Sequence, residues 1–446
     1  MQQKRQIAYT LILTLTMLLG IFLRIHAAGN TIVDAPLRAD AGQYYSYAYN
    51  MRFHDTYSRE SWKKTNNNDF NPTADALRSP GYPLFLWIFT EKSPTQKGIS
   101  NIVIAQSILG IFSLLLVFAI AQTLLPGAWP LLPTLLTAIS PQLVNTEVYI
   151  LSESLFGFLL LSAIYTCTQY KVESRNSATL VIAGLLLGLA TIVRPTTQYF
   201  LPFFVVYAAL ASQKQLKWHH YLAIASAFIL PTAFWTLRNI VTLGIYSDPT
   251  LTINTLVHGH YPSMMYNGDL ATLGYPYRFD PKIQELSASV HSALAEIWNR
   301  IQENPTLYLQ WYLLEKPITF LSWSDASAWQ GFFTYPVLRS PYLTSEFFIF
   351  SYTAMKNTHW TWVILASISV IYFIFHFTKN PIPPNSTPLL LTFIFIYFLL
   401  IHTIGFPIAR YNTPILPVIF LLASLILKNI FLTNYKQPSN VFFQQK

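Results

Sequence analysis

Charge is scarce in this chain. Asp, Glu, Lys and Arg make up 11% of its 446 residues, where soluble domains carry about 25%. Cysteine is nearly missing as well: a single Cys167 leaves no partner for a disulfide within the chain, and no redox compartment follows from it. No Gly-rich phosphate loop and no internal repeat occur, and the only low-complexity tract is the short Asn run at 66–68. Together these absences exclude a conventional soluble enzyme and a disulfide scaffold. With 52% hydrophobic residues a disordered chain is excluded too.

Charge-free apolar runs fill the space the charges leave. A helix that crosses a bilayer needs about 20 mostly apolar residues. Runs near that length lie at 7–23, 101–122, 129–146, 154–170, 178–193, 195–211, 221–237, 360–377, 388–405 and 413–427. The first follows Lys4 and Arg5 but ends without a small-residue cleavage site, so it reads as a retained anchor. Some runs are short, which leaves room for one re-entrant hairpin. The expected fold is an all-α polytopic membrane protein of about ten transmembrane helices with two long outer loops, near 24–100 and 238–359. The expected division is a module at 1–237, a loop region at 238–359, and terminal helices with a short tail at 360–446.

The net charge of +9 raises the question of an acidic partner. Topology answers it. Ten spans place both termini on one side, and Lys4, Arg5, Lys171, Arg175, Lys214, Lys217, Lys379, Lys428, Lys436 and Lys446 fall there with Glu173 as the one acid. Lys and Arg collect in short cytoplasmic loops, so that side is expected to be cytoplasmic, in a bacterial inner membrane. No nucleic-acid partner is expected, because the basic residues form no exposed cluster.

The outer loops hold the polar chemistry. Asp40 precedes a Tyr-rich stretch with Tyr44, Tyr45, Tyr47 and Tyr49, expected to lie at the membrane interface; on position alone Asp40 is a helix cap. Pro80-Gly81 turns the chain into a short second interfacial helix with Arg78 before it. In the second loop Ile283, Leu286, Val290, Leu294, Ile297 and Ile301 mark one amphipathic helix, and Pro305 starts another. His258 and His260 are weak metal-ligand candidates at one-residue spacing.

Arg194, Arg238 and Arg410 break the sorting rule, standing at the outer boundary with no acid within four residues. A lone boundary Arg snorkels to headgroups, but three at one level suit a phosphate, which the guanidinium fork matches. Glu147 and Glu153 stand at the same level.

Taken in order, these elements resemble the GT-C superfamily of polyprenyl-phosphate-sugar glycosyltransferases, in the branch with aminoarabinose transferases and protein O-mannosyltransferases. The match rests on Asp40 after the first span, the Arg-Ser-Pro-Gly-Tyr-Pro-Leu-Phe-Leu stretch at 78–86, Ser-Glu-Ser-Leu-Phe at 152–156, Arg194-Pro195, Arg238-Asn239, and Arg-Tyr-x-x-Pro-x-x-Pro at 410–417. The resemblance implies an inverting transferase with Asp40 as catalytic base and Arg194, Arg238 and Arg410 on the donor phosphate. Arg78, Tyr82, Glu153, Tyr44 and Tyr411 would position sugar or acceptor. It implies a polyprenyl-phosphate-linked sugar and a lipid, glycan or protein acceptor as partners, besides membrane lipids, and no required cofactor. The family often has a second acid beside its base; here that position is Ala41, so metal dependence stays open. A polysaccharide polymerase or ligase is the alternative, and a non-enzymatic lipid-linked-sugar transporter the next.

Overall fold

The computed structural model describes residues 2–63, 70–172, 177–323, 332–380 and 386–434. The Asn run at 66–68 and the orienting residues Glu173, Arg175, Lys436 and Lys446 lie outside these. The described chain is almost wholly helical: α1 (Gln2–Asn30), α2 (Ala39–Phe53), α3 (Gly81–Trp87), α4 (Gln96–Leu124), α5 (Leu131–Ile139), α6 (Pro141–Thr146), α7 (Glu153–Thr168), α8 (Ala178–Val193), α9 (Leu201–Ala211) and α10 (Trp218–Leu243). The second loop contributes α11 (Thr250–Gly259), α12 (Ile283–Leu286), α13 (Val290–Glu303), α14 (Pro305–Gln310) and α15 (Lys316–Leu321), and α16 (Pro341–Thr344), α17 (Glu346–Lys379), α18 (Thr387–Ile404) and α19 (Leu416–Asn434) follow.

Six helices among the described residues are long and apolar enough to cross a membrane: α1, α4, α10, α17, α18 and the stretch that ends in α19. The apolar helices α7, α8 and α9 are shorter. The chain is an integral membrane protein. The run at 129–146 is not one helix. It breaks at Ser140, whose backbone is extended, because Pro141 cannot donate into a continuing helix and instead starts α6.

One core runs through the bundle, from Leu23 of α1 and Val117 of α4 to Leu160 of α7, Leu187 of α8 and Leu421 of α19. The outer faces of α1 and α10 are exposed apolar surface, as in Leu11, Leu18, Leu230 and Phe234, which suits lipid contact. A short antiparallel pair, β1 (Ile32–Val33) with β2 (Val337–Arg339), ties the start of the first outer loop to the end of the second.

Two expectations about the loops need correction. The Tyr-rich helix α2 is not laid on a membrane surface: Tyr44, Tyr45, Tyr47 and Tyr49 are all buried in protein. The stripe from Ile283 to Ile301 is two helices, because Ser289 caps α13 by accepting from Ser292 N and ends the run. Helix α14 starts at Pro305 as expected and continues through a π turn, Trp311–Glu315, into α15.

Candidate functional site

Asp40 lies in the first turn of α2, two residues past the cap position of Arg38, so it is not the cap. Its carboxylate instead pairs with Arg78, Nη2 to Oδ1 at 2.6 Å. Arg78 also donates from Nε and Nη2 to Gln43 Oε1, at 3.0 and 2.7 Å. Gln43 is one turn beyond Asp40, and that spacing sets both side chains on one helix face. Arg78 is further held over the Tyr44 ring, 5.0 Å from its centre, and Tyr44 meets Tyr82 edge to face at 4.9 Å. Tyr82 itself is fully buried and donates to Gln106 Oε1 at 2.6 Å.

From the opposite side come the ends of three helices. Glu153 opens α7, Arg194 closes α8, and Arg410 sits in a 3₁₀ segment, Ala409–Ile415, before α19. Glu153 Oε1 lies 3.0 Å from Arg194 Nη1 and 3.2 Å from Arg410 Nε. Arg410 Nη2 reaches Asp40 Oδ2 at 3.8 Å. Both arginines lie against Tyr411, Arg194 at 4.4 Å and Arg410 at 5.6 Å from the ring centre. Glu153 is a buried carboxylate between two cations, and neither of its contacts is aligned as a hydrogen bond. The Nε and Nη1 atoms of Arg410 are buried without a hydrogen-bond partner.

Asp40 is the exposed member, with 38% of its side chain accessible. Burial of its surroundings pushes its carboxyl up, but the charges of Arg78 and Arg410 and the hydrogen bond from Arg78 outweigh this and hold it below the usual carboxylate range. The cluster holds two carboxylates and three guanidinium groups, an excess of one positive charge.

Asp40, Arg78, Arg194, Arg410, Glu153, Tyr44 and Tyr411 are thus brought together, with Tyr82 behind them. Arg238 is not. Its Nη1 donates to Asp75 O at 2.8 Å and to Asn239 Oδ1 at 3.1 Å, and its guanidinium packs over Tyr57 and Trp235. Asp75 organises that second cluster, accepting from Tyr47 and from the Arg59 and Leu77 amides.

His258 and His260 do not converge. His258 stacks on Tyr277. His260 is buried, with Nε2 at 2.8 Å from Arg300 Nη1 and Nδ1 at 2.7 Å from Val257 O. Arginine can only donate, so His260 carries its proton on Nδ1. Arg300 is also paired with Asp280 and Glu296. Among the described residues no three His, Cys, Asp or Glu side chains gather to hold a metal.

Gln43, Asp75, Arg24 and Lys316 escape a sequence reading. Arg24 is buried and pairs with Glu147 at 3.1 Å across 123 residues. Buried Lys316 donates to the carbonyls of Thr403, Ile404 and Gly405, the C-terminal end of α18. Asn412 donates back to Phe320 O and Ser322 O. These bonds fasten the second loop to the segment that carries Arg410. The one signal in sequence was Gln43, by its three-residue spacing from Asp40.

An all-helical membrane protein whose helix ends converge on a carboxylate–arginine cluster is the class that fold and site define. Residues 77–235, which include Arg78, Glu153 and Arg194, match the family of dolichyl-phosphate-mannose-protein mannosyltransferases. The Archaeoglobus fulgidus oligosaccharyltransferase tethered with an acceptor peptide is similar in fold, with a TM-score of 0.50 at 13% identity over 95% of this chain and 50% of that one. AglB from the same organism, in complex with an inhibitory peptide and a dolichol-phosphate, gives 0.46 at 14% identity over 97% and 52%. ArnT from Cupriavidus metallidurans bound to undecaprenyl phosphate gives 0.39 at 11% over 94% and 77%. The chain spans about half the length of the archaeal structures. No curated protein matches it. The family match that bears on the GT-C resemblance covers 77–235, and the likeness in fold to the tethered archaeal oligosaccharyltransferase runs over 95% of the chain.

Proposed function

We propose that the chain is an inverting membrane glycosyltransferase that moves a sugar from a polyprenyl-phosphate donor to a lipid, glycan or protein acceptor. The observation that carries this reading is the meeting of Asp40 with Arg78, Arg194 and Arg410, two of whose buried nitrogens, Arg410 Nε and Nη1, have no hydrogen-bond partner. The family matched at 77–235 uses a lipid-phosphate sugar by its name.

In the proposed step the acceptor O–H or N–H gives its proton to the Asp40 carboxylate as its lone pair forms a bond to the anomeric carbon. The bond from that carbon to the phosphate oxygen breaks, and the polyprenyl phosphate leaves with the electron pair and one more negative charge. A positioned base contributes about 10²–10⁴-fold. The transition state is oxocarbenium-like, and phosphate as leaving group needs no general acid. Arg194 and Arg410 meet the growing charge. Glu153 orients them, and Arg78 with Tyr44 holds Asp40. Arg238 acts on the first loop, not on the phosphate.

In this reading the chain crosses a bacterial inner membrane ten times, with α5–α6 and the short helices α7, α8 and α9 completing the set. Both termini are cytoplasmic, and the site opens outward. Residues 1–237 carry most of the site, 238–359 meet the acceptor, and 360–446 complete the bundle.

The test is complementation. Cells without the protein lose one sugar from a surface glycolipid or glycoprotein by mass spectrometry, and the wild-type chain restores it. Asp40→Asn inserts normally and does not restore it. Full restoration by D40N overturns the assignment of the base.

A further inference from the structure

Beside the cluster lies a partly open cavity with about 40 Å³ of room for water. Arg24, Glu147, Glu153, Ser154, Gly157 and Thr413 contribute to its walls. It therefore shares Glu153 with that site and the Arg24–Glu147 pair with the bundle. Both glutamates are 3% exposed. Glu153 Oε1 faces Arg194 and Arg410, but Glu147 Oε2, Glu153 Oε2 and Ser154 Oγ have no hydrogen-bond partner. Buried carboxylate oxygens left so are costly in low dielectric. A cavity of this size exceeds the ~10–15 Å³ that one water needs, and water in protein interiors takes 2–4 polar partners. A cation is disfavoured, because both wall glutamates are already paired with arginine, Glu147 with Arg24 and Glu153 with Arg194 and Arg410. The chamber is also shaped by glycine. The Glu147 carboxylate lies where a side chain at Gly110 would be, with a Cβ there meeting it inside contact distance.

We propose that this chamber is a built water site, in which buried water bridges Glu147 Oε2 to the Glu153 carboxylate and holds Glu153 where it pairs with Arg194 and Arg410. Glu153 thereby becomes a positioning residue with two supports: the two arginines, and water with Ser154. The catalytic consequence rests on the donor-phosphate reading; the water site does not.

Gly157→Ala is the test. The atoms nearest a Cβ at 157 belong to Pro414, at 3.8–3.9 Å, an ordinary contact, so a methyl on this wall of the cavity meets no backbone clash. In a dry cavity that methyl stabilises, both by filling space and by replacing a helical glycine. In a water site it displaces the bridge and strands the carboxylates. The expected result for G157A in detergent is a lower melting temperature than wild type, and a donor KM raised about tenfold with kcat nearly unchanged. Ser154→Ala, which removes one wall oxygen and adds no volume, shifts both readouts in the same direction by less. A raised melting temperature in G157A overturns the water site. A lowered melting temperature with unchanged donor KM in both variants overturns the positioning role. Failure of the donor reading itself shows separately, as Arg194→Ala with unaltered donor affinity.

Discussion

Replacing Glu153 by Gln tests how the arginines are held. Gln is nearly isosteric, so packing is kept and only the charge is removed. In the wild type Glu153 is, among the described residues, the one anion within 3.2 Å of both Arg194 and Arg410. Without it, Arg410, whose side chain is 8% exposed, retains among the described residues only Asp40, at 3.8 Å. Breaking a buried pair by removing one partner costs on the order of 3–5 kcal/mol, because the remaining charge is left uncompensated. A lipid phosphate bound between the same arginines supplies a replacement anion. If it recovers about 1.4 kcal/mol of the loss, binding tightens tenfold, and the ligand raises the melting temperature by more in the variant than in the wild type. The assay is thermal unfolding in detergent, with and without a polyprenyl monophosphate. E153Q is expected to melt lower alone and to gain more from the ligand. An E153Q protein as stable as wild type, or one that gains less from the lipid phosphate, refutes the reasoning and leaves Glu153 as a contact to sugar or acceptor.

The arginines should separate. Arg194→Ala and Arg410→Ala each raise donor KM by about tenfold or more, the worth of a charge-assisted contact, while Arg238→Ala leaves donor KM within about twofold and instead increases proteolysis in the first outer loop; equal effects of all three on KM would return Arg238 to the phosphate. Acid should loosen the second loop. His260 is pushed down to about 3 by burial and by the Arg300 charge, and His258 to about 4 by burial. The unfolded chain binds these protons below about pH 6.5 and the folded chain does not, so stability is full above that pH and falls as pH drops toward 4. His260→Gln, whose amide can still accept from Arg300 and donate to Val257 O, removes about one proton from that slope; an unchanged slope by hydrogen exchange across pH 6.5–4.5 refutes the assignment.

Helix existence was legible because charge-free length is a one-dimensional property. Position along a helix was legible too: Asp40, Glu153, Arg194 and Arg410 all stand at helix ends, and the fold brings those ends together. What the sequence could not show is azimuth and surroundings. Arg238 stands at a helix level like Arg194, yet its guanidinium turns to the Asp75 and Tyr57 carbonyls. The tyrosines of α2 have the composition of an interfacial helix, but aromatic rings satisfy a protein interior as well as a headgroup layer, and only the packing of Tyr82, Trp62 and Tyr57 against them decides. Arg24 looked like the first residue of a loop. Its burial needs the Gly20 carbonyl of its own helix, the Thr137 and Ala138 carbonyls of α5, and Glu147 at the C-terminal cap of α6.

The same contacts that identify Asp40 also restrain it. A carboxylate held below its usual range by Arg78 and Arg410 is a poor base. Arg78 is bound to it at 2.6 Å, but Arg410 is only within 3.8 Å and has buried nitrogens to spare. A donor phosphate between Arg194 and Arg410 would neutralise the second of these cations and bring a negative charge toward Asp40. Both changes raise its pKa. Asp40 should therefore become a competent base only after the donor is bound, which makes binding ordered and protects the acceptor from idle deprotonation. The acid limb of the pH profile reads this directly, since kcat/KM for the donor reports the free enzyme and kcat the loaded one. The limb of kcat is expected at the higher pH. Coincident limbs, or a lower limb for kcat, would mean that Arg410 does not release Asp40 on donor binding and that the two groups act independently.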